Sequence, residues 1–278
     1  MQRPYADVDV FTAEPYRGNP LAVVLDGSGL STDEMQRFAH WTNLSETTFV
    51  LPPTQAGADY RVRIFTPTME LPFAGHPTLG TCHAWLEAGG TPAHPDVVVQ
   101  ECGAGLITIR RDAATGRMAF AAPPLRRSGP LEPEVLAEAV ASLRLDPAQV
   151  LDSAWIDNGP GWLGLRLATA ADVLAIRAGA VTLDIGVVGP HPEGSECAVE
   201  LRAFFPKDGM TVEDPVTGSL NASVAQWLVG NGTLPRSYVA AQGTALGRAG
   251  RVYIHTDEAG QVWVGGHSVT CVRGTVAL

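Results

Sequence analysis

Three titratable side chains and two glycine-led helix starts are the residues of this 278-residue chain whose types and spacing could do chemistry. Glu46, in Asn43-Leu44-Ser45-Glu46-Thr47-Thr48-Phe49-Val50, stands at the start of an otherwise apolar strand. A carboxylate there is either a rim residue facing water or, turned into a cleft and partly buried, a group whose pKa rises toward neutrality and which can shuttle a proton. His76 follows Gly75 in Leu71-Pro72-Phe73-Ala74-Gly75-His76-Pro77, and Asp214 precedes Gly218 and Ser219 in Glu213-Asp214-Pro215-Val216-Thr217-Gly218-Ser219. Each glycine lets backbone approach closely where a helix begins, its first N–H groups unpaired and its dipole positive. Carboxylates and oxyanions bind at such ends. The alternative is that Gly, Ser and Pro simply start two helices. Asp214 could stabilise the dipole of its own helix, or it could hold and orient His76 across a cleft, as carboxylates do for catalytic imidazoles.

The two helix starts are copies of one pattern. Arg63-Ile64-Phe65-Thr66-Pro67 leads into Glu70 to His76 and a run closing on Trp85-Leu86; Arg202-Ala203-Phe204-Phe205-Pro206 leads into Glu213 to Ser219 and a run closing on Trp227-Leu228. Both read R-x-F-x-P, then E-x-P-x-x-G-[HS], then an apolar helix ending in W-L, at an offset of 143 residues from Gly75 to Gly218. A repeat of about half the chain length implies two related halves. The copies differ where Leu71 stands opposite Asp214 and His76 opposite Ser219, while Glu46 lies outside the repeated segment. Two helix ends in two related halves could face each other across a cleft between domains, a common place for a small-molecule site.

The elements that must position these residues can be read from periodicity. Asp7 to Phe11 alternates as a half-buried strand does, and Leu21 to Leu25 is fit for a second strand after the Gly18-Asn19-Pro20 turn. Ser31 with Glu34 forms a capping box for a helix through about Thr42. Thr47 to Leu51 and Tyr60 to Phe65 read as strands, and a helix from Gly75-His76-Pro77 stops at Gly89-Gly90. Val97 to Gln100 and Leu106 to Arg110 read as a hairpin. Prolines crowd between Ala121 and Pro133, the expected boundary between a first domain of residues 1–120 and a second of 121–261, with the strands of about 262–278 free to join the first. Beyond it Glu134 to Leu143 and Ala170 to Ala178 read as helices, Trp162 to Leu167 and Cys197 to Phe205 as strands. The second repeat helix runs from about Ser219 to Val229, and Val252 to His255, Val262 to Gly265 and Val269 to Val276 are strands. Several strands curling around one longer helix in each half make an α+β arrangement.

Composition excludes other classes. A net charge of −10 and no Lys/Arg run argue against nucleic-acid and anionic-membrane partners. Cys82, Cys102, Cys197 and Cys271 show no C-x-x-C spacing, which favours free thiols over disulfides or zinc. Met1 to Phe11 has no apolar leader and no stretch reaches eighteen apolar residues, so a cytoplasmic protein is expected. Glu101-Cys102-Gly103-Ala104-Gly105 reads as a hairpin turn rather than a nucleophile, Gly27-Ser28-Gly29 lacks the elbow spacing, and neither a phosphate loop nor H-E-x-x-H occurs. No metal site is expected.

At these motifs the chain resembles the PhzF family of phenazine-biosynthesis-like isomerases. The matching segments are Arg17-Gly18-Asn19-Pro20, Asn43 to Thr47, Leu71 to Thr78, Glu213 to Ser219, and Gln242-Gly243 followed by Gly247-Arg248. The resemblance implies a diaminopimelate-epimerase-like fold, two similar domains each wrapping strands, mostly antiparallel and barrel-like, around a central helix, and a homodimer. It implies acid/base isomerisation of a small anionic metabolite without metal or organic cofactor. Position by position, Glu46 resembles the general acid/base, His76 and Asp214 its polar partners, and Gly75, Gly218 and Ser219 the substrate-anchoring groups. The epimerase relatives carry a cysteine at each helix start, where this chain has His76 and Ser219. Residues near Asn19, Trp155 and Trp162 are candidates for the walls of the cleft.

Overall fold

The structure, a computed structural model, describes all 278 residues. The chain forms two compact units: Met1–Ala121 together with Gly265–Leu278, and Ala122–Val264.

In the first unit β1 (Gln2–Val10) pairs antiparallel with β2 (Asn19–Val24). Helix α1 (Thr32–Thr42) then carries the chain over to β3 (Glu46–Leu51), which lies parallel to β2. Next, β4 (Tyr60–Phe65) pairs antiparallel with β3 and with the short β5 (Glu70–Leu71). Helix α2 (Gly75–Glu87) leads to β6 (Val97–Cys102), parallel to β4, and β7 (Gly105–Arg111) and β8 (Met118–Ala121) continue antiparallel.

The second unit repeats this connectivity. After β9 (Arg127–Gly129) and α3 (Pro133–Ser142), β10 (Asp152–Asp157) pairs antiparallel with β11 (Leu163–Arg166). The crossover α4 (Ala170–Ala175) sets β12 (Ile185–Pro190) parallel to β11. Strand β13 (Val199–Lys207) pairs antiparallel with β12 and with β14 (Met210–Asp214). Helix α5 (Gly218–Gly230) leads to β15 (Ser237–Gln242), parallel to β13, then β16 (Gly250–Thr256) and β17 (Val262–Gly266). Finally β18 (Ser268–Ala277) pairs antiparallel with β1.

The α+β architecture expected from the repeat is thus the one observed, with one apolar helix inside each strand wrap. Helices α2 and α5 have mostly buried residues on all sides, and a helix apolar all round has to be enclosed. Gly80 shows how closely the wrap lies: a Cβ there would sit 2.6 Å from Leu21 Cδ2 and 2.8 Å from Val10 Cγ2. The opposite face of the first sheet packs Phe49 and Phe65 against Met35, Phe38 and Ala39 of α1. In the second unit Leu163, Leu165, Ile185 and Val187 pack with Val173 of α4 and Ala139 of α3.

Helix α1 starts as its sequence says. Ser31 accepts the Glu34 N–H, and the Glu34 carboxylate takes the Ser31 N–H at 2.8 Å. Ser31→Ala is expected to lower stability by about 1 kcal/mol in urea unfolding, leaving the m-value unchanged. Helix α4 ends three residues earlier than the periodicity suggests, because Arg177 folds back and donates Nη1 to the Leu174, Ala175 and Ile176 carbonyls.

The repeated R-x-F and E-x-P letters are a structural device. In the first unit Arg63 forks onto Glu70, Nε to Oε1 at 2.7 Å and Nη2 to Oε2 at 2.6 Å, with its guanidinium 5.1 Å from the Phe65 ring centre. In the second, Arg202 forks onto Glu213 at 2.9 and 2.7 Å and lies 4.8 Å from the Phe204 ring. Each fork ties the strand before the helix to the short strand that delivers the helix start.

Candidate active site

In the first unit Glu46 and His76 come together. Asn43 takes the left-handed conformation (φ 55°) that stops α1, and its N–H bonds the Ala39 carbonyl. Leu44 and Ser45 then turn the chain so that Glu46 is the first residue of β3, paired with Leu21. Alternation along the strand puts Glu46 and Thr48 on one face, and Thr48 accepts the Thr81 hydroxyl from α2 at 2.8 Å. Glu46 therefore reaches the first turn of α2, where its Oε2 lies 3.3 Å from His76 Nδ1. The carboxylate side chain keeps 16% exposure; the imidazole keeps 7%.

Burial drives the His76 pKa down to about 3, against the smaller opposite effect of a hydrogen bond to the Pro20 backbone. Desolvation disfavours the imidazolium, so the pair is a neutral ring beside a carboxylate rather than an ion pair. The folded pKa lies below the unfolded value of about 6.5, so the unfolded chain takes up this proton first as pH falls. Stability from this group is full above about pH 6.5 and is lost as pH falls toward 3, at up to about 1.4 kcal/mol per pH unit. Urea unfolding from pH 7.5 downward, on wild type and His76→Asn, is expected to give curves that converge as acid is added. Parallel curves would mean that the imidazole is not held neutral.

Around this pair the motif residues have distinct roles. Gly18 donates its N–H to Asp9 Oδ2 at 2.9 Å, and a Cβ on Gly18 would sit 2.1 Å from the Val10 carbonyl oxygen. The turn therefore needs glycine, and it delivers Asn19 and Pro20 to the buried start of β2. Asp9 itself is buried, although its alternating strand suggested a solvent face for the polar residues. Gly75 opens α2 after Ala74, which offers no side-chain cap.

The second unit gathers Asp214, Gly218 and Ser219. Thr217 donates its hydroxyl to Asp214 Oδ2 at 2.5 Å and accepts from Gln242 Nε2 at 2.8 Å. Gln242 Oε1 takes the Thr217 N–H and the Asn221 amide. Ser219 Oγ accepts the Trp162 indole N–H at 2.9 Å. Asp184, just before β12, has its pKa raised to about 6 by burial and then by the charge of Asp157. Trp155 is engaged elsewhere, its indole N–H on Glu132 and its ring under Arg127 at 3.6 Å.

Two framework glutamines escaped the sequence reading as a pair. Gln100 ends the apolar run Val97-Val98-Val99 and Gln242 ends Val239-Ala240-Ala241. Gln100 accepts from Tyr60 and donates to Thr78 in the first turn of α2, as Gln242 braces the start of α5. A glutamine directly after three apolar residues in both copies was the available signal. Glu101-Cys102-Gly103-Ala104-Gly105 is the turn between β6 and β7, with Glu101 held by Thr54 and Gln55. No group of three or more His, Cys, Asp or Glu side chains is arranged to hold a metal, and no helix is long and apolar enough to cross a membrane.

Comparison with known proteins places this architecture. Residues 8–274 match the model of the phenazine biosynthesis-like (PhzC-PhzF) proteins. The chain is 36% identical to antisense-enhancing sequence 1 of Schizosaccharomyces pombe over 97% of both chains. It is 33% identical to the trans-2,3-dihydro-3-hydroxyanthranilate isomerase of Pseudomonas aeruginosa over 99% of both. Among solved structures it resembles a PhzF-family protein of Bacillus anthracis (TM-score 0.85, 23% identity, all of both chains). It also shares its fold with a hydroxyproline epimerase of Agrobacterium vitis (TM-score 0.61, 16% identity, 100% of this chain and 93% of that one). Sequence, connectivity and fold agree: the chain belongs to the phenazine biosynthesis-like family and is an isomerase.

Proposed function

We propose that this isomerase moves a proton, and with it a double bond, on a small cyclic or unsaturated substrate that bears a carboxylate. Glu46 removes a proton from a carbon made acidic by conjugation and returns it to another carbon of the same molecule, so that atoms and charge balance without a co-reactant. The observation that carries this reading is the partly exposed Glu46 carboxylate held 3.3 Å from a buried His76. A neutral imidazole is well matched to this chemistry, because it gives the carboxylate a polar neighbour without an acidic proton that would quench the base. His76 is therefore a polar partner of Glu46, and Asp214 is assigned a second polar role in its own unit. Gly75, Gly218 and Ser219 are assigned to substrate binding, since the starts of α2 and α5 have no side-chain cap and offer N–H groups to an anion.

Trans-2,3-dihydro-3-hydroxyanthranilate, named for the Pseudomonas relatives, has the required features and is the first substrate to try. Incubation in heavy water is expected to give a product with its double bonds shifted and deuterium at the reprotonated carbon. Ligand-induced stabilisation with neither turnover nor exchange, across a panel of cyclic unsaturated carboxylates, would reduce the chain to a binding protein and overturn the proposal.

A further inference from the structure

Trp162 is a large side chain that the proton-transfer scheme does not use, and its place is unusual. It is 4% exposed, yet its indole N–H points at the hydroxyl of Ser219, the second residue of α5, at 2.9 Å. Asn158, from the same loop, donates its amide to the Ser219 carbonyl at 3.0 Å. The loop is itself fixed, because Asp157 Oδ1 accepts the N–H groups of Gly159 and Gly161 at 2.6 and 2.8 Å. One serine thus has both its backbone and its side chain held from a single braced loop.

The chemistry of the indole decides what the serine can do. An indole N–H only donates, so Ser219 Oγ must accept from it. The serine has one proton, which then has to point away from Trp162. The Ser219 hydroxyl makes no other hydrogen bond within the protein, and the residue is partly exposed. We propose that Trp162 is a positioning residue that fixes Ser219 as a hydrogen-bond donor, so that the start of α5 selects an acceptor oxygen of the substrate, a carboxylate above all, and disfavours a cationic group there. The inference rests on the assignment of Ser219 to substrate binding and deepens it. At the matching position of the first unit stands His76, which lies beside Glu46 rather than beside an indole, so the two helix starts differ in their surroundings.

A double-mutant cycle read by binding tests this. Trp162→Phe keeps the ring and removes the donor; Ser219→Ala removes the hydroxyl; the pair is combined, and each protein is checked for folding by thermal melting. Affinity for 2-aminobenzoate is measured on all four proteins by titration calorimetry, and in wild type the titration is also followed by NMR at the indole N–H resonance that Trp162→Phe identifies by deleting it. The proposal expects Ser219→Ala to weaken binding about tenfold and Trp162→Phe by several-fold. In the Ser219→Ala background, Trp162→Phe should add nothing, and the amide 2-aminobenzamide should show neither effect at full size. Equal losses from Trp162→Phe in both backgrounds would mean a merely structural tryptophan and overturn the proposal. So would unchanged affinity in Trp162→Phe, or no shift of the indole resonance by 2-aminobenzoate up to its solubility limit. Because the readout is binding, failure here is distinct from failure of proton transfer, which is read by deuterium.

Discussion

Glu46→Gln is expected to lower kcat/KM for the double-bond shift by about 10²–10⁴-fold and to lower deuterium incorporation in step with it. The amide has nearly the shape of the carboxylate and can still face His76 Nδ1, so the strand, the helix start and the neutral imidazole should survive. What it lacks is a basic oxygen. The side chain is only 16% exposed and meets a ring that burial keeps uncharged, so the imidazole is a poor replacement as a proton carrier. Substrate affinity should change little, since substrate binding is assigned to Gly75, Gly218 and Ser219 rather than to Glu46, so the loss should appear in kcat more than in KM. His76→Asn should act less strongly, because it removes an orienting partner and leaves the base. If Glu46→Gln turns over as fast as wild type, the assignment of the base is wrong, whatever the substrate proves to be.

How much of this could be read from the chain differs from residue to residue. The capping box at Ser31 and Glu34, the paired helix starts at Gly75 and Gly218, and one apolar helix per half are local or repeated signals, and they survive intact in the structure. The meeting of Glu46 with His76 was reached through motif resemblance, because it depends on a long-range event, the parallel pairing of β3 with β2. A one-residue slip in that pairing would turn the carboxylate to the other face of the sheet. Strands such as β10, β12 and β15 carry weak signals of their own. Gly186 and Gly189 interrupt β12, and Asp152 and Asp157 bound β10, so burial between neighbours rather than propensity makes them strands. Buried Asp9 hid for the same reason: its alternation matched a wet face, and the Gly18 N–H supplied by the neighbouring turn helps to make its burial tolerable. The repeated Arg and Glu were visible as letters, but nothing in one sequence distinguishes a chemical motif from a brace.

That brace supports a prediction in which the two copies differ. Arg202 and Glu213 have side chains only 7% and 11% exposed, whereas Arg63 and Glu70 keep 18% and 39%. A forked pair in both places gives the same geometry, but the cost of breaking it depends on what is left behind. Glu213→Gln leaves the Arg202 guanidinium buried without an opposite charge, with one amide oxygen, the Val173 and Ile176 carbonyls and the face of Phe204 as its remaining partners. An uncompensated buried charge of this kind costs about 3–5 kcal/mol. In Glu70→Gln, water can reach the remaining Arg63 guanidinium, and the loss should stay near about 1 kcal/mol, the scale of a solvated pair. Urea unfolding of the two variants should therefore separate them by several-fold in ΔΔG. Replacing both members in the second unit, Arg202→Met with Glu213→Leu, should recover much of what Glu213→Gln loses, because a buried ion pair and a well-packed apolar pair are of similar stability. Equal, small losses at both sites would show that the second fork is solvated in solution. A double replacement no better than Glu213→Gln would show that the fork sets the geometry of β14, and with it the start of α5, in a way that packing alone cannot replace.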